Sequence, residues 1–372
     1  MQFIDLSAQR ARIRDRLRLA MDNVVEGGRY ILGPQVGEFE QALADYVGVK
    51  HVVACANGTD ALLLPLMAYG VGPGDAVFCP SFTFAATAEV VALRQAEPVF
   101  VEIDPETYNI DPASLEAAIE MVLKEGRLTP RAIIPVDLFG LPANYAQIAS
   151  IAARYDLPII EDAAQSIGGK LGNGMCGSFG DVGSTSFYPA KPLGCYGDGG
   201  AMFTDSDEMA ETLRSLAFHG KGDTQYDNIR VGINSRLDTL QAAILIEKLA
   251  ILEDEMEQRQ TVARRYNDGL GGAVKVPEIA AGSRSAWAQY AIETPKRDAL
   301  KAHLQAAGIP SVIYYVKPLH QQIAYAQYPV APGGLAVSEE LPSRILCLPM
   351  HPYLSEEDQD RIISTIKEFV GR

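Results

Sequence analysis

Short apolar runs alternate with stretches of helical periodicity over the first half of the chain. Runs at 51–55, 76–79, 97–103, 131–136 and 157–161 have the length and β-branched content of buried strands. The segments between them, near 58–69, 82–93, 112–124 and 143–155, space their apolar positions as helices do. A regular strand-then-helix order predicts a mostly parallel sheet covered on both faces. Two helices, over 7–24 and 36–46, precede it, with the loop signal GGRYILGP between them. Further strands are expected at 182–187 and 200–204, and a helix near 206–217. A long helix follows from about 236 to 266, with Leu245, Leu249, Leu252 and Met256 on one face. After Gly271-Gly272 the pattern becomes strand, helix, strand (286–293, 298–307, 311–315), with a last helix near 355–369. The expected organisation is an N-terminal arm over 1–30, a large α/β domain over 1–255 and a smaller α+β domain over 256–372.

Composition narrows the function classes. With 47 acids against 32 bases the formal net charge is −15, which argues against a nucleic-acid or membrane-surface partner. A phosphorylated small molecule remains open, since it needs only a local cationic pocket. Cys55, Cys79, Cys176, Cys195 and Cys347 are scattered with no CxxC pair, so they read as thiols of a reducing compartment. The start of the chain has no apolar signal core, and no run approaches the roughly 18 apolar residues of a membrane span. The expected setting is cytoplasmic.

In open parallel sheets ligands bind beyond the carboxyl ends of the strands. Three such positions carry chemistry. The run at 51–55 leads into Asn57-Gly58-Thr59-Asp60, which reads either as an ordinary helix cap or as a phosphate cradle of free amides, a glycine and a hydroxyl. The run at 157–161 ends at Asp162, followed by Gln165 and Ser166; a carboxylate there either caps a helix or pairs with a cation. Lys191 lies in SFYPAKPLGCYGDGG, where prolines and glycines forbid a helix and fix the side chain's direction. Alone it reads as a solvated charge; in a dry site it can form a Schiff base. Together with the aromatic Phe84 and the hydroxyl of Ser186, these groups match the needs of pyridoxal phosphate: a phosphate cradle, a ring-stacking face, an anion for the pyridine nitrogen and an amine for the aldehyde.

Over nearly the whole chain, from Phe3 to His351, the segments YILGPQVGEFE, NGTDAL, SFTFAATAE, IIEDAAQSIG, SFYPAKPLGCYGDGGA, INSRLDTLQAAIL and LPMHPYL resemble the DegT/DnrJ/EryC1/StrS sugar aminotransferases. The resemblance implies the fold type I architecture of pyridoxal phosphate enzymes. It implies that Lys191 bonds the cofactor, Asp162 pairs with the pyridine nitrogen and Gln165 lies near the ring hydroxyl. Gly58, Thr59 and Ser186 would hold the phosphate and Phe84 would stack on the ring. Asn234 would reach the phosphate of a neighbouring subunit, which implies a homodimer with shared sites and L-glutamate as amino donor. Within the family, PAKPLGCYGDGGA followed by RVGINSRLDTLQAAI is most similar to enzymes that aminate C3 of a UDP-linked 2-acetamido-3-keto-hexuronic acid. Arg230, Arg236, Lys317 and His320 are then candidates for its anionic groups, Arg236 first for the carboxylate, unless it simply opens the long helix. Tyr30, Tyr314 and Tyr315 complete the substrate candidates.

The chain departs from its relatives at two places. Tyr314-Tyr315 stands where His-Tyr is usual, and Asp137 where His or Ser is common. Three rival readings fit the sequence less well. A dinucleotide dehydrogenase lacks its glycine motif, because Gly70-Val71-Gly72-Pro73-Gly74 precedes a strand instead of following one. Sugar dehydratases of the same family carry histidine in place of the lysine at 191. A cofactor-binding regulator would carry a DNA-binding module that this chain has no room for. His51, His219, His303, His320 and His351 show no metal spacing.

Overall fold

The computed structural model describes residues 1–224 and 226–371. Helices α1 (Leu6–Arg12) and α2 (Arg14–Gly27) replace the single helix expected over 7–24. The break falls at Ile13, which leaves helical geometry (φ −119°, ψ 21°) and buries its side chain beside Leu17, Ile244 and Ile251. Helix α3 (Pro34–Val47) starts with proline in its first turn and stops at Gly48 in the left-handed conformation.

The α/β succession is then β1 (His51–Cys55), α4 (Gly58–Ala68), β2 (Asp75–Pro80), α5 (Ala86–Leu93), β3 (Glu97–Val101), α6 (Pro112–Glu125), β4 (Thr129–Ile133), α7 (Tyr145–Tyr155) and β5 (Ile160–Asp162). A small ribbon, β6 (Lys170–Leu171) and β7 (Gly174–Met175), leads to β8 (Val182–Ser186) and β9 (Gly200–Thr204). Strands β3, β2 and β4 pair in parallel, as do β5 and β8. Parallel bridges Ile133↔Ile159 and Val136↔Asp162 join the two halves. The sheet therefore runs β3-β2-β4-β5-β8-β9-β1, and β9 alone opposes its neighbours. This is the mostly parallel α/β sheet the periodicity predicts. Side-chain caps start several covering helices: Asn57 on α4, Asp111 on α6 and Asn144 on α7.

Helix α8 (Asp207–Ala217) is followed by α9 (Thr239–Leu270), which spans 32 residues. The first part of α9 packs against α3 through Leu245, Leu252 and Met256. Its last turns, with Val262, Tyr266 and Leu270, enter a second core built by β11 (Tyr290–Glu293), α10 (Arg297–Ala306), β12 (Ile345–Leu348) and α12 (Glu356–Val370). Strand β10 (Ser283–Arg284) adds to the small ribbon, and the short α11 (Ala336–Glu340) precedes β12. The strand expected over 311–315 does not form; Val312 makes a single bridge to Cys347 while β12 takes the place beside β11. Among the described residues no helix is long and apolar enough to cross a membrane.

Candidate active site

The carboxyl ends of β1, β5 and β8 meet at one rim of the sheet. Cys55 and Ser186 pair with Gly200 of β9 from its two sides, so these strand ends lie level with one another. The first turn of α4 opens there. Asn57 caps it by accepting from the Asp60 amide at 2.8 Å, leaving the remaining N-terminal amides free. Gly58 is required by space: a Cβ there would stand 2.6 Å from the Ser186 Cβ. Thr59 follows, half-buried, and Ser186 Oγ accepts from the Tyr188 amide at 3.2 Å. Ser235 braces this turn from behind, donating to Asp60 Oδ2 at 2.6 Å and accepting from the Ala56 amide at 3.0 Å.

Asp162 is the last residue of β5 and is buried. Its carboxylate accepts from Thr87 Oγ1 at 3.0 Å and from the Ala164 amide at 3.2 Å. Burial raises its proton affinity; the Ala164 amide, the Lys191 charge and the Thr87 hydroxyl oppose that rise. Lys191 responds in the opposite sense. Burial lowers its affinity for a proton and the Asp162 charge pulls it back up. Each charge thus acts on the other: Lys191 lowers the proton affinity of Asp162, and Asp162 raises that of Lys191, both against the effect of burial. The Lys191 amide donates to Tyr188 O at 2.9 Å, closing the turn that carries the side chain.

Gln165 is buried beside them. It accepts from the Phe139 amide at 3.0 Å, and its amide group reaches Tyr315 Oη at 3.5 Å. Tyr315 lies edge-on to Phe82 (5.7 Å between ring centres), and its proton affinity is raised by burial and by the Asp162 charge. Phe84 is more than half exposed, on the loop between β2 and α5. Gly58, Thr59, Asp162, Gln165, Ser186, Lys191 and Tyr315 are therefore gathered at one rim, with Tyr314 next to Tyr315.

Other candidates lie further out. Both ring nitrogens of His320 are engaged, Nδ1 with Ser81 Oγ at 2.6 Å and Nε2 with Glu339 at 3.0 Å. Lys317 is exposed. Tyr30 hydrogen-bonds within its own arm to Val25 O at 3.3 Å, and its carbonyl accepts from the Thr239 amide. Arg230 reaches Ser215 Oγ at 3.2 Å. Arg236 stacks its guanidinium 4.9 Å from the centre of the Phe218 ring, just ahead of α9. Asn234, one residue before the inward-facing Ser235, is exposed.

Asp137 does not face the site. It is wholly buried and accepts from the Ala143 amide at 2.9 Å, Tyr145 Oη at 2.8 Å and Ser166 Oγ at 2.7 Å. The acid at this departure position braces the core behind Asp162, whose carbonyl accepts from the Asp137 amide at 3.1 Å. Thr87 was missed in the sequence. It stands in the first turn of α5, and its hydroxyl lies 3.3 Å from that of Thr83 in the loop ahead of the helix, so no helical spacing announces the pair.

The geometry fits pyridoxal phosphate on this chain's own terms. A helix start with Gly58 in its first turn suits the phosphate, a buried carboxylate held by two neutral donors suits a pyridinium, and a lysine disfavoured as ammonium suits an aldehyde. The DegT/DnrJ/EryC1/StrS aminotransferase family model matches residues 11–367. The chain is 49% identical over 356 residues to the UDP-2-acetamido-2-deoxy-3-oxo-D-glucuronate aminotransferase of Pseudomonas aeruginosa, covering 95% of this chain and 96% of that one. A crystal structure of a DegT/DnrJ/EryC1/StrS aminotransferase from Brucella abortus is 71% identical and matches with a TM-score of 0.99, covering 100% of both chains. The S. venezuelae protein DesV, crystallised in complex with a ketimine intermediate, is 37% identical with a TM-score of 0.94, covering 100% of this chain and 98% of that one.

Proposed function

The chain belongs to the DegT/DnrJ/EryC1/StrS aminotransferase family, and from that premise we propose that it carries an amino group from L-glutamate to the C3 ketone of UDP-2-acetamido-2-deoxy-3-keto-hexuronic acid. It is a pyridoxal phosphate-dependent sugar aminotransferase. In the net reaction the donor's amine and the sugar's ketone oxygen change places, giving 2-oxoglutarate and a 3-amino sugar. The observation that carries the reading is the convergence of Lys191 and Asp162 beside the Gly58 turn at the carboxyl ends of β5, β8 and β1.

When bound, the cofactor supplies an electron-poor ring that takes up the electron pair freed at the donor Cα. Thr87 and the Ala164 amide favour the carboxylate form of Asp162 against its burial, and that carboxylate would pair with the ring nitrogen and favour its protonated form. The amides of the first α4 turn, with Thr59 and Ser186, grip a phosphate where the helix dipole favours negative charge. Gln165 and Phe84 orient the ring from its hydroxyl side and its face. Lys191 Nζ holds the cofactor at rest, then takes a proton from the donor Cα and later returns one to the sugar carbon. Burial favours the neutral amine that the first of these tasks needs. Arg236 would meet the uronate carboxylate, with Lys317, His320, Tyr314, Tyr315 and Tyr30 around the nucleotide sugar; His320 would have to exchange one of its present partners to take part.

A homodimer with shared sites belongs to the same proposal. Asn234 is exposed, and Phe84, Tyr188, Ile229 and Val231 are exposed apolar side chains on the segments that flank the rim. A second copy of the chain would cover them and bring its Asn234 to the phosphate. The proposed setting is the cytoplasm, in the supply of amino sugars to cell-surface polysaccharide such as the O-antigen of lipopolysaccharide.

The test is an amine-transfer assay with glutamate against a panel of UDP- and dTDP-linked 3-keto and 4-keto sugars, each as uronate and as neutral hexose. The UDP-linked 3-keto uronate is expected to lead in kcat/KM. Arg236→Ala is expected to cost about 10- to 150-fold on the uronate, the range of a lost charged hydrogen bond, and under about threefold on the neutral sugar. Equal losses on both would remove Arg236 as the carboxylate's partner, and a leading 4-keto-6-deoxy substrate would overturn the substrate assignment.

A further inference from the structure

The loop from Phe187 to Gly199 must hold Lys191 in one direction, yet it contains no regular structure. Its ends are tied by Phe187 N–H to Gly199 O at 2.7 Å and by Cys195 N–H to Phe187 O at 2.8 Å. The stretch between needs a support of its own, and α9 offers one. Lys248 is fully buried on that helix and donates from Nζ to Gly194 O at 2.6 Å. The same ammonium sits 4.3 Å from the centre of the Tyr196 ring. Two helical turns earlier, on the same face, Gln241 Oε1 accepts from the Tyr196 amide at 2.8 Å, and its Nε2 approaches Tyr196 O at 3.5 Å.

We propose that Lys248 and Gln241 are positioning residues, which fix from α9 the direction in which the loop presents Lys191. Three observations support this. First, burying an ammonium for a single carbonyl and a ring face is costly, and an apolar side chain would fill the same space more cheaply. Here the charge serves to orient one carbonyl just past Lys191. Second, the loop closes tightly on itself and on α9: a Cβ at Gly194 would stand 2.6 Å from Pro189 O of the same loop, and one at Gly197 would stand 3.1 Å from Gln241 Nε2. Third, burial pushes the Lys248 ammonium down to about 8 while Glu255 and Cys195 pull it up, so it stays mainly charged at neutral pH. The inference rests on Lys191 being the reactive amine, but not on the identity of the sugar.

Lys248→Met keeps the length and loses the charge; Gln241→Ala removes the second tie from a half-buried position. Amide hydrogen exchange over 187–199 is measured on cofactor-free and on pyridoxal phosphate-loaded protein, beside steady-state kinetics. Each variant is expected to speed exchange at the Cys195 and Tyr196 amides by about tenfold, with α4 and α12 unchanged. In Lys248→Met, kcat is expected to fall about tenfold or more while the glutamate KM stays within about twofold, because the donor's own contacts are untouched. Loop exchange at the unmodified rate, or a speeding spread evenly over the chain, would overturn the proposal. If Lys248→Met does not fold, the exchange in Gln241→Ala decides alone. Failure of the site reading is separable: an active Lys191→Ala variant would contradict it whatever the loop does.

Discussion

Gly58→Ala probes the phosphate cradle with a single methyl group. The added Cβ would lie 2.6 Å from the Ser186 Cβ and 3.2 Å from its Cα. Carbon atoms in ordinary contact stand about 3.5–4.0 Å apart, so α4 and β8 must separate by about 1 Å. Neither side yields easily, since Ser186 is paired to Gly200 in the sheet and the α4 turn is braced by Ser235. Overpacking of this kind costs about 1–3 kcal/mol. Because the strain sits where the first α4 amides and Ser186 converge, it should appear in cofactor affinity as a loss of about 5- to 150-fold. The assay is absorbance titration of cofactor-free protein with pyridoxal phosphate, with thermal unfolding of the cofactor-free form as a control. A folded variant that binds the cofactor within about twofold of the parent would refute the placement of the phosphate at this turn.

Further predictions follow from the other groups. Asp162→Asn removes a buried charge and keeps the shape, and should weaken cofactor binding by about 10- to 150-fold while slowing both half-reactions; titration and stopped-flow absorbance measure this. Thr87→Val withdraws one donor from the same carboxylate and should show a smaller loss, about tenfold, in the same titration. His351 is buried with neither ring nitrogen hydrogen-bonded, and burial and the Arg259 charge push it down to about 4. The unfolded chain therefore binds a proton at this position that the folded chain refuses, so stability is whole above about pH 6.5 and falls between there and pH 4, by up to about 3 kcal/mol. In urea unfolding followed across that window, His351→Phe should show a shallower fall; an identical slope would exclude His351 as its cause.

The sheet was legible because both its faces are covered, so each strand reads as an apolar run and each helix as a periodic one. The site was legible for a related reason: Asp162 and the Gly58 turn follow such runs, and Ser186 lies at the end of the strand expected over 182–187. What the sequence hid was direction and distance. Asp137 follows a strand like the others, but its side chain turns back to Tyr145 and Ser166, and nothing in the spacing distinguishes the two outcomes. Residues 311–315 are as β-rich as a strand, yet Ile345–Leu348 takes the pairing with β11, a competition decided by tertiary packing. Thr87 and Lys248 act across 75 and 54 residues of chain, to Asp162 and Gly194, beyond the reach of any local pattern.

The account stands on the amine at position 191. Borohydride reduction of the pyridoxal phosphate-loaded protein, followed by digestion and mass spectrometry, tests it most directly. The predicted result is one phosphopyridoxyl group per chain on the peptide containing Lys191, absent from Lys191→Ala; a stoichiometric label on any other lysine, or none at all, would contradict it.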